Sequence, residues 1–408
     1  MYILYFSIYL VVFIYFSFLR KKIDVNSLFF AGVTIYYFPM LFNKLPEMNS
    51  RGFLTDNFIA IHDDFRMSLI LFLFIFFIST LAYDLFFCKR KIFNRSMRLS
   101  CEQSIFKVLL SFTLFLFVAI LISIKFNLSL SKTEIQMYSG AYMTLYIYTF
   151  SLYVLFSLYN AHVLGHKFNL LFVILVVFTL IFFKQRSLVI LPILGFVFYC
   201  KWNKSLSRSD IKPFAIIFIF LVLMLLSKLI GNYFLTGDVY DYNQMYQLFV
   251  DAFEPFIINS TVNEIFISKF HLDSNYLLYA PAFLIPGGNT LLDISSQHFF
   301  HQYQPVVFPL VSFGLAYNPI AEAFSTLGYL GVIFLSVSVS IMTWIVNLSL
   351  LNTKGYMQVF IAFISIYLFF YLHRNSLFTE IVYIRNFISI FSFAIIVSFF
   401  LKPKKYHC

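Results

Sequence analysis

Long apolar runs recur from one end of this 408-residue chain to the other, and most approach the roughly 20 helical residues that cross a hydrocarbon core. Inside lipid every backbone N–H and C=O must be satisfied by the protein itself, which leaves only helices and closed barrels. The runs are too continuous for the two-residue alternation of an outer-membrane barrel. The chain therefore reads as an all-α, polytopic integral membrane protein. Composition agrees: 61% of residues are hydrophobic, 12% are charged and the mean hydropathy is +0.85, outside the range of a soluble globule. The 58 Phe and 28 Tyr read as a compositional bias, without the meaning of an aromatic cage.

The first run, residues 1–19, has neither a basic leader nor a small-residue cleavage site and reads as a retained span. Arg20-Lys21-Lys22 follows it. Further spans fall at about residues 27–42, 67–87, 106–126 and 141–159, with a polar segment at 43–66. Residues 170–183 and 188–199 are each short for a span. Read as a pair turning outward at Lys184-Gln185-Arg186, they keep the basic runs at 89–98 and 201–212 on one side. Residues 213–230, 319–349, 356–372 and 387–401 complete about 11 transmembrane helices. Most of the 29 Lys and Arg then lie on one face, which by the positive-inside rule puts the N-terminus outside and the C-terminus in the cytoplasm. Cys88, Cys101, Cys200 and Cys408 all fall on that reducing side, so no disulfide framework is expected. The organisation is a single membrane domain, 1–408, with a long extracytoplasmic loop at 231–316.

That loop carries Asp238, Asp241, Asp251, Glu254, Glu264, Asp273 and Asp293 against Lys269. Such a surface excludes nucleic acid, whose phosphates require basic residues. Residues 256–270 are spaced like a short amphipathic helix and 279–286 like a lid touching the membrane; together they suit a polar, uncharged chain such as carbohydrate. His298 and His301 have no third partner at a diagnostic spacing, so no metal site is read there. Nucleotide-binding and serine-hydrolase signatures are missing from the sequence, and no cofactor is called for.

The sharpest local signal is Tyr317-Asn318-Pro319-Ile320-Ala321-Glu322. Asn318 reads as an N-cap and Pro319 as the first helical residue, because the side-chain amide satisfies a free N–H and proline's missing donor costs nothing there. Glu322 then sits about one turn inside an apolar span, where an ionisable group is a functional candidate by default. Arg186, Arg374 and Arg385 stand at the outer ends of spans, and Arg is suited to bidentate pairing with a diphosphate.

Eleven spans, a long late outer loop, Lys184-Gln185-Arg186-Ser187 opening a span, Asn318-x-x-x-Glu322 with Gly328 and Gly331, and His373-Arg374-Asn375-Ser376 together resemble the Wzy-type O-antigen polymerases. The spacing Asn318-x9-Gly328-x-x-Gly331 is also similar to the O-antigen ligase signature, in which a His precedes the Asn; here Tyr317 stands in that place, which favours the polymerase. The resemblance implies a GT-C-like membrane glycosyltransferase at the outer face of a bacterial inner membrane. It would polymerise undecaprenyl-diphosphate-linked oligosaccharide repeats into O-antigen or capsule, with a chain-length regulator as a possible protein partner. On this expectation Glu322 is the catalytic residue, as the base or as the group that orients the acceptor. Arg186, Arg374 and Arg385 hold the diphosphate, and Tyr317, Asn318 and His298 line the substrate site, without metal. The alternatives are a flippase of the same lipid-linked sugar, an O-antigen ligase, and a scaffold subunit of an envelope complex.

Overall fold

A computed structural model describes the protein for all residues except 21, 53, 87–98, 100, 128–129, 131, 164, 166–169, 184, 186, 204–254, 273–275, 277–281, 284, 286–297, 312–314, 376 and 402–408. The span read at 213–230, the basic runs at 89–98 and 204–212, and Arg186 lie outside the described residues. In chain order the helices are α1 (Tyr2–Ile14), α2 (Val25–Tyr36), α3 (Asp63–Phe86), α4 (Glu102–Ser123), α5 (Lys132–Val163), α6 (Leu170–Ile181), α7 (Ser187–Trp202), α8 (Pro255–Ile267), α9 (Phe299–Val307), α10 (Pro319–Asn352), α11 (Tyr356–Ser365) and α12 (Leu377–Phe400). One hairpin, β1 (Lys44–Met48) and β2 (Leu54–Ala60), interrupts them. Counting the π- and 3-10-helical turns that continue α1 to Leu19 and α11 to Arg374, seven helices among the described residues are long and apolar enough to cross a membrane, so this is a mostly helical, multi-pass membrane protein. The spans read at α2, α6 and α7 are helices of 12, 12 and 16 residues. At 1.5 Å per residue these measure only about 18–24 Å.

The chain forms two compact units, each assembled from discontinuous segments: residues 1–94, 246–351 and 367–385 in the first, and 95–245, 352–366 and 386–408 in the second. In the first unit the helix ends are tied by polar contacts. Arg20, beyond the foot of α1, donates to both oxygens of Asp24 at 2.6 and 2.5 Å and to Asp84 at 2.6 Å. Its side chain is only 2% exposed, so Arg20 is a buried, paired cation and not part of a free basic cluster. Burial works against that charge, but the hydrogen bonds and charges of the two carboxylates outweigh it and hold the guanidinium well above its ordinary pKa. At the same end Asn347 Oδ1 accepts from Val25 N–H at 3.0 Å. At the other end the Tyr329 hydroxyl donates to Asp64 at 2.5 Å, joining the starts of α3 and of the long part of α10. Thus α1, α3 and α10 run one way and α2 the other.

The hairpin departs from the all-helical reading of the sequence. Asn49-Ser50-Arg51-Gly52 makes its turn, with Gly52 at φ 79° and its N–H bonded to Asn49 O at 2.9 Å, the Asn-first, Gly-last pattern of a tight turn. Pro46 lies at an irregularity in the pairing, where a missing donor does least harm. The hairpin is held by α8, which is not an amphipathic surface helix but a buried one. Along one side of α8, Asn259 donates to Tyr36 O at 2.6 Å, Ser260 to Pro46 O at 2.7 Å and Asn263 to Ala60 O at 3.2 Å, while Asn263 Oδ1 accepts from His62 N–H at 2.8 Å. The polar side chains of α8 therefore take up backbone groups that the short α2 and the hairpin edge leave open.

In the second unit Glu102 Oε1 accepts from Tyr356 N–H at 3.1 Å, Ser398 donates to Cys101 at 3.1 Å, and Tyr356 donates to Asn160 at 2.8 Å. The starts of α4 and α11 and the ends of α5 and α12 meet at one end. Within α5 the helical path breaks at Gly140 (φ 46°, ψ −118°), and the helix long and apolar enough to span runs Glu134–Val163, longer than the 141–159 expected. The stretch 170–202 is two helices, α6 and α7, as expected.

Candidate functional site

Asn318 and Pro319 start α10 in the manner their chemistry dictates: Asn318 Oδ1 accepts from Ala321 N–H at 3.0 Å, and Pro319 is the first helical residue. The helix does not run straight into the membrane. It breaks at Leu327 (φ −133°) and Gly328 (φ 59°, ψ −142°), a backbone conformation that a side chain would make costly. Beyond the break the chain passes so close to the preceding turn that a Cβ on Gly331 would run into the Ala323 carbonyl. Gly328 and Gly331 thus serve a bend within one helix. The bend sets apart a short helical segment, 319–326, and this segment carries Glu322.

Glu322 is 4% exposed, and Oε1 accepts a 2.5 Å hydrogen bond from the Tyr276 hydroxyl. Tyr276 is itself 2% exposed. Burial, and after it the charge and hydrogen bond of Glu322, push its phenol far above the ordinary value, so it stays a donor at every working pH. The Tyr276 ring packs on Phe378 at 4.7 Å, in the first turn of α12, and Phe378 stacks on Phe283 at 4.7 Å. Phe283 meets the His298 ring at 4.8 Å, and Tyr317 lies against Phe299 at 4.9 Å and Tyr303 at 5.3 Å. One run of aromatic contacts therefore joins the partner of Glu322 to His298, and a second gathers Tyr317, Phe299 and Tyr303. The His298 imidazole is held below its ordinary pKa by burial and by His301.

The arginines are placed differently. Arg385 donates from Nη1 to Phe283 O at 3.0 Å and to Ile285 O at 2.9 Å, so it fixes the segment that carries Phe283. Arg374 stacks over Tyr371 and donates to its hydroxyl at 2.6 Å. His373, its neighbour, is fully buried against Phe29 and Tyr37 and belongs to the packing. Arg186 lies outside the described residues.

Two further buried polar residues are absent from the sequence expectations, one without a signal in the sequence and one with. Tyr276 is one tyrosine among 28 with no motif around it. Glu380, a fully buried carboxylate in the first turn of α12, accepts from Asn375 at 2.6 Å, and among the described residues its Oε2 has no hydrogen-bond partner. A carboxylate inside an otherwise apolar run was signal enough to single it out. The Asn318 side-chain amide, also fully buried, likewise has no acceptor for its N–H groups among the described residues.

No family model matches this chain, and neither a curated protein nor a solved structure matches it.

Proposed function

We propose that the protein is a membrane glycosyltransferase that polymerises oligosaccharide repeats carried on a polyprenyl diphosphate, of the kind its sequence resembles. The observation that carries this reading is Glu322: a buried carboxylate on a short helical segment, oriented by the hydroxyl of Tyr276 and one turn from Asn318, whose amide N–H groups have no acceptor among the described residues. Burying such a charge is costly, and a position that keeps it beside donors able to orient it is suited to proton abstraction. In the reaction the acceptor hydroxyl oxygen attacks the anomeric carbon, its proton passes to Glu322, and the bond from that carbon to the lipid diphosphate breaks with the electron pair leaving on the diphosphate. Arg374 is the cation assigned to that leaving group. Arg385 keeps the segment of Phe283 in place, and Tyr317 and His298 flank the sugar. The full reading includes about 11 spans, a GT-C-like architecture, and a bacterial inner membrane with the N-terminus outside.

The test is reconstitution of the purified protein with a lipid-diphosphate-linked oligosaccharide, with and without EDTA, beside Glu322→Gln. A ladder of repeat units that survives EDTA and disappears in the variant supports the assignment. Substrate that crosses the bilayer unchanged in length would replace it with a flippase.

A further inference from the structure

The first unit contains a hollow of about 130 Å³ that none of the residues assigned above line. Its wall is formed by Asp64 at the start of α3, by Lys269, Phe270 and His271 beyond the end of α8, and by Phe324 and Ser325 on the same short segment as Glu322. Ser325 is one helical turn from Glu322, so the two are neighbours on one face. The Leu272 N–H donates to Ser325 O at 2.8 Å, which fastens the loop after α8 to that segment. Tyr329 holds one oxygen of Asp64 and the His62 ring lies 3.7 Å from the other, while the Asp64 side chain remains 46% exposed.

The backbone here is unusual. Phe270 N–H bonds to Ile265 O and Lys269 N–H to Phe266 O, the paired bonds that close a helix over a left-handed residue. That residue is usually glycine, but here it is Lys269, at φ 51°. The same closure recurs at Lys125 after α4, so the backbone alone marks no use of the side chain; Lys269 bears on the hollow because it lines it. Phe266 and Phe324 lie 4.6 Å apart and give the wall an apolar side. A carboxylate acceptor, an ammonium donor, an imidazole and aromatic rings around a space of this size are what one sugar ring requires, its hydroxyls bonding the polar groups and its C–H face lying on an aromatic ring. Neighbouring charges of both signs disfavour a simple anion or cation as the occupant.

We propose that this hollow is a subsite for a single pyranose unit, one helical turn from Glu322, with Asp64 and Lys269 as its hydroxyl-binding pair. It rests on the polymerase reading for its place in a reaction, but not for its binding chemistry. The experiment is saturation-transfer NMR on the full-length protein in lipid nanodiscs, free of sugar-headed detergent. The probes are methyl pyranosides of gluco, galacto, manno, N-acetylated and uronic configuration. At least one glycoside should bind, with affinity reduced at least tenfold by Asp64→Asn and by Lys269→Gly. Asparagine still accepts from Tyr329, and glycine relaxes the strained backbone, so neither variant should lose the fold. No binding by any glycoside, or binding indifferent to both substitutions, overturns the subsite, even where a polymer ladder forms. Binding that responds to both, in a protein that makes no ladder, keeps the subsite and overturns the polymerase.

Discussion

The Tyr276 hydroxyl and the Glu322 carboxylate, 46 residues apart in sequence, meet at 2.5 Å in a site closed to water. A hydrogen bond to a charged group is worth about 1.5–3 kcal/mol. Tyr276→Phe keeps the packing on Phe378 but removes that bond, and polymer synthesis should fall about 10–100-fold. A rate equal to wild type in the reconstituted assay would remove Tyr276 from the site.

The bend at Gly328 positions the segment bearing Glu322. Gly328→Ala places a side chain at a φ of 59° with ψ −142°, which costs about 1–3 kcal/mol. Thermal unfolding in detergent should move to lower temperature, with polymer synthesis reduced more than stability alone explains. Unchanged unfolding would mean that the backbone there relaxes freely.

Arg20 neutralises Asp24 and Asp84 where α1, α2 and α3 meet. Removing one member of a buried ion cluster strands the others, at about 3–5 kcal/mol. Arg20→Met should therefore destabilise the protein strongly in a denaturant titration. Arg20→Lys, which keeps the charge but loses the fork that reaches both carboxylates, should be intermediate.

Two groups give stability opposite dependences on pH. His298 has a folded-state pKa below its unfolded value, through burial and His301, so the unfolded chain takes up the proton first. Its contribution is complete above about pH 6.5 and is lost as pH falls below that value. Glu264, raised by burial and by Glu47, contributes at low pH and loses that contribution as pH rises through its folded value. Unfolding temperatures measured from pH 8 to 5 should decline on the acid side, and His298→Gln should flatten that decline.

Asn263 serves two backbone groups at once, accepting from His62 N–H and donating to Ala60 O. Asn263→Ala should loosen the hairpin at about 1–3 kcal/mol. Limited proteolysis should then cut the turn at residues 49–52 sooner than in wild type.

Local chemistry made part of this architecture legible in the sequence. Apolar runs must become helices in lipid because only helices satisfy their own backbone. Asn318 and Pro319 mark a helix start because one accepts an N–H and the other lacks one. The hairpin had a signal in Asn49 and Gly52 that the polar composition of its surroundings concealed. Tertiary structure alone decided the rest. Nothing near Tyr276 in sequence marks it as the partner of Glu322, since that pairing arises only when the fold brings Tyr276 against the start of α10 and Phe378 of α12. The same holds for Arg20: a basic residue after a span is an ordinary topological charge until Asp84, 64 positions away, is brought against it. Patterns of polarity act over a few turns of chain, whereas the partner of a buried charge is chosen by whatever the fold places within hydrogen-bonding distance.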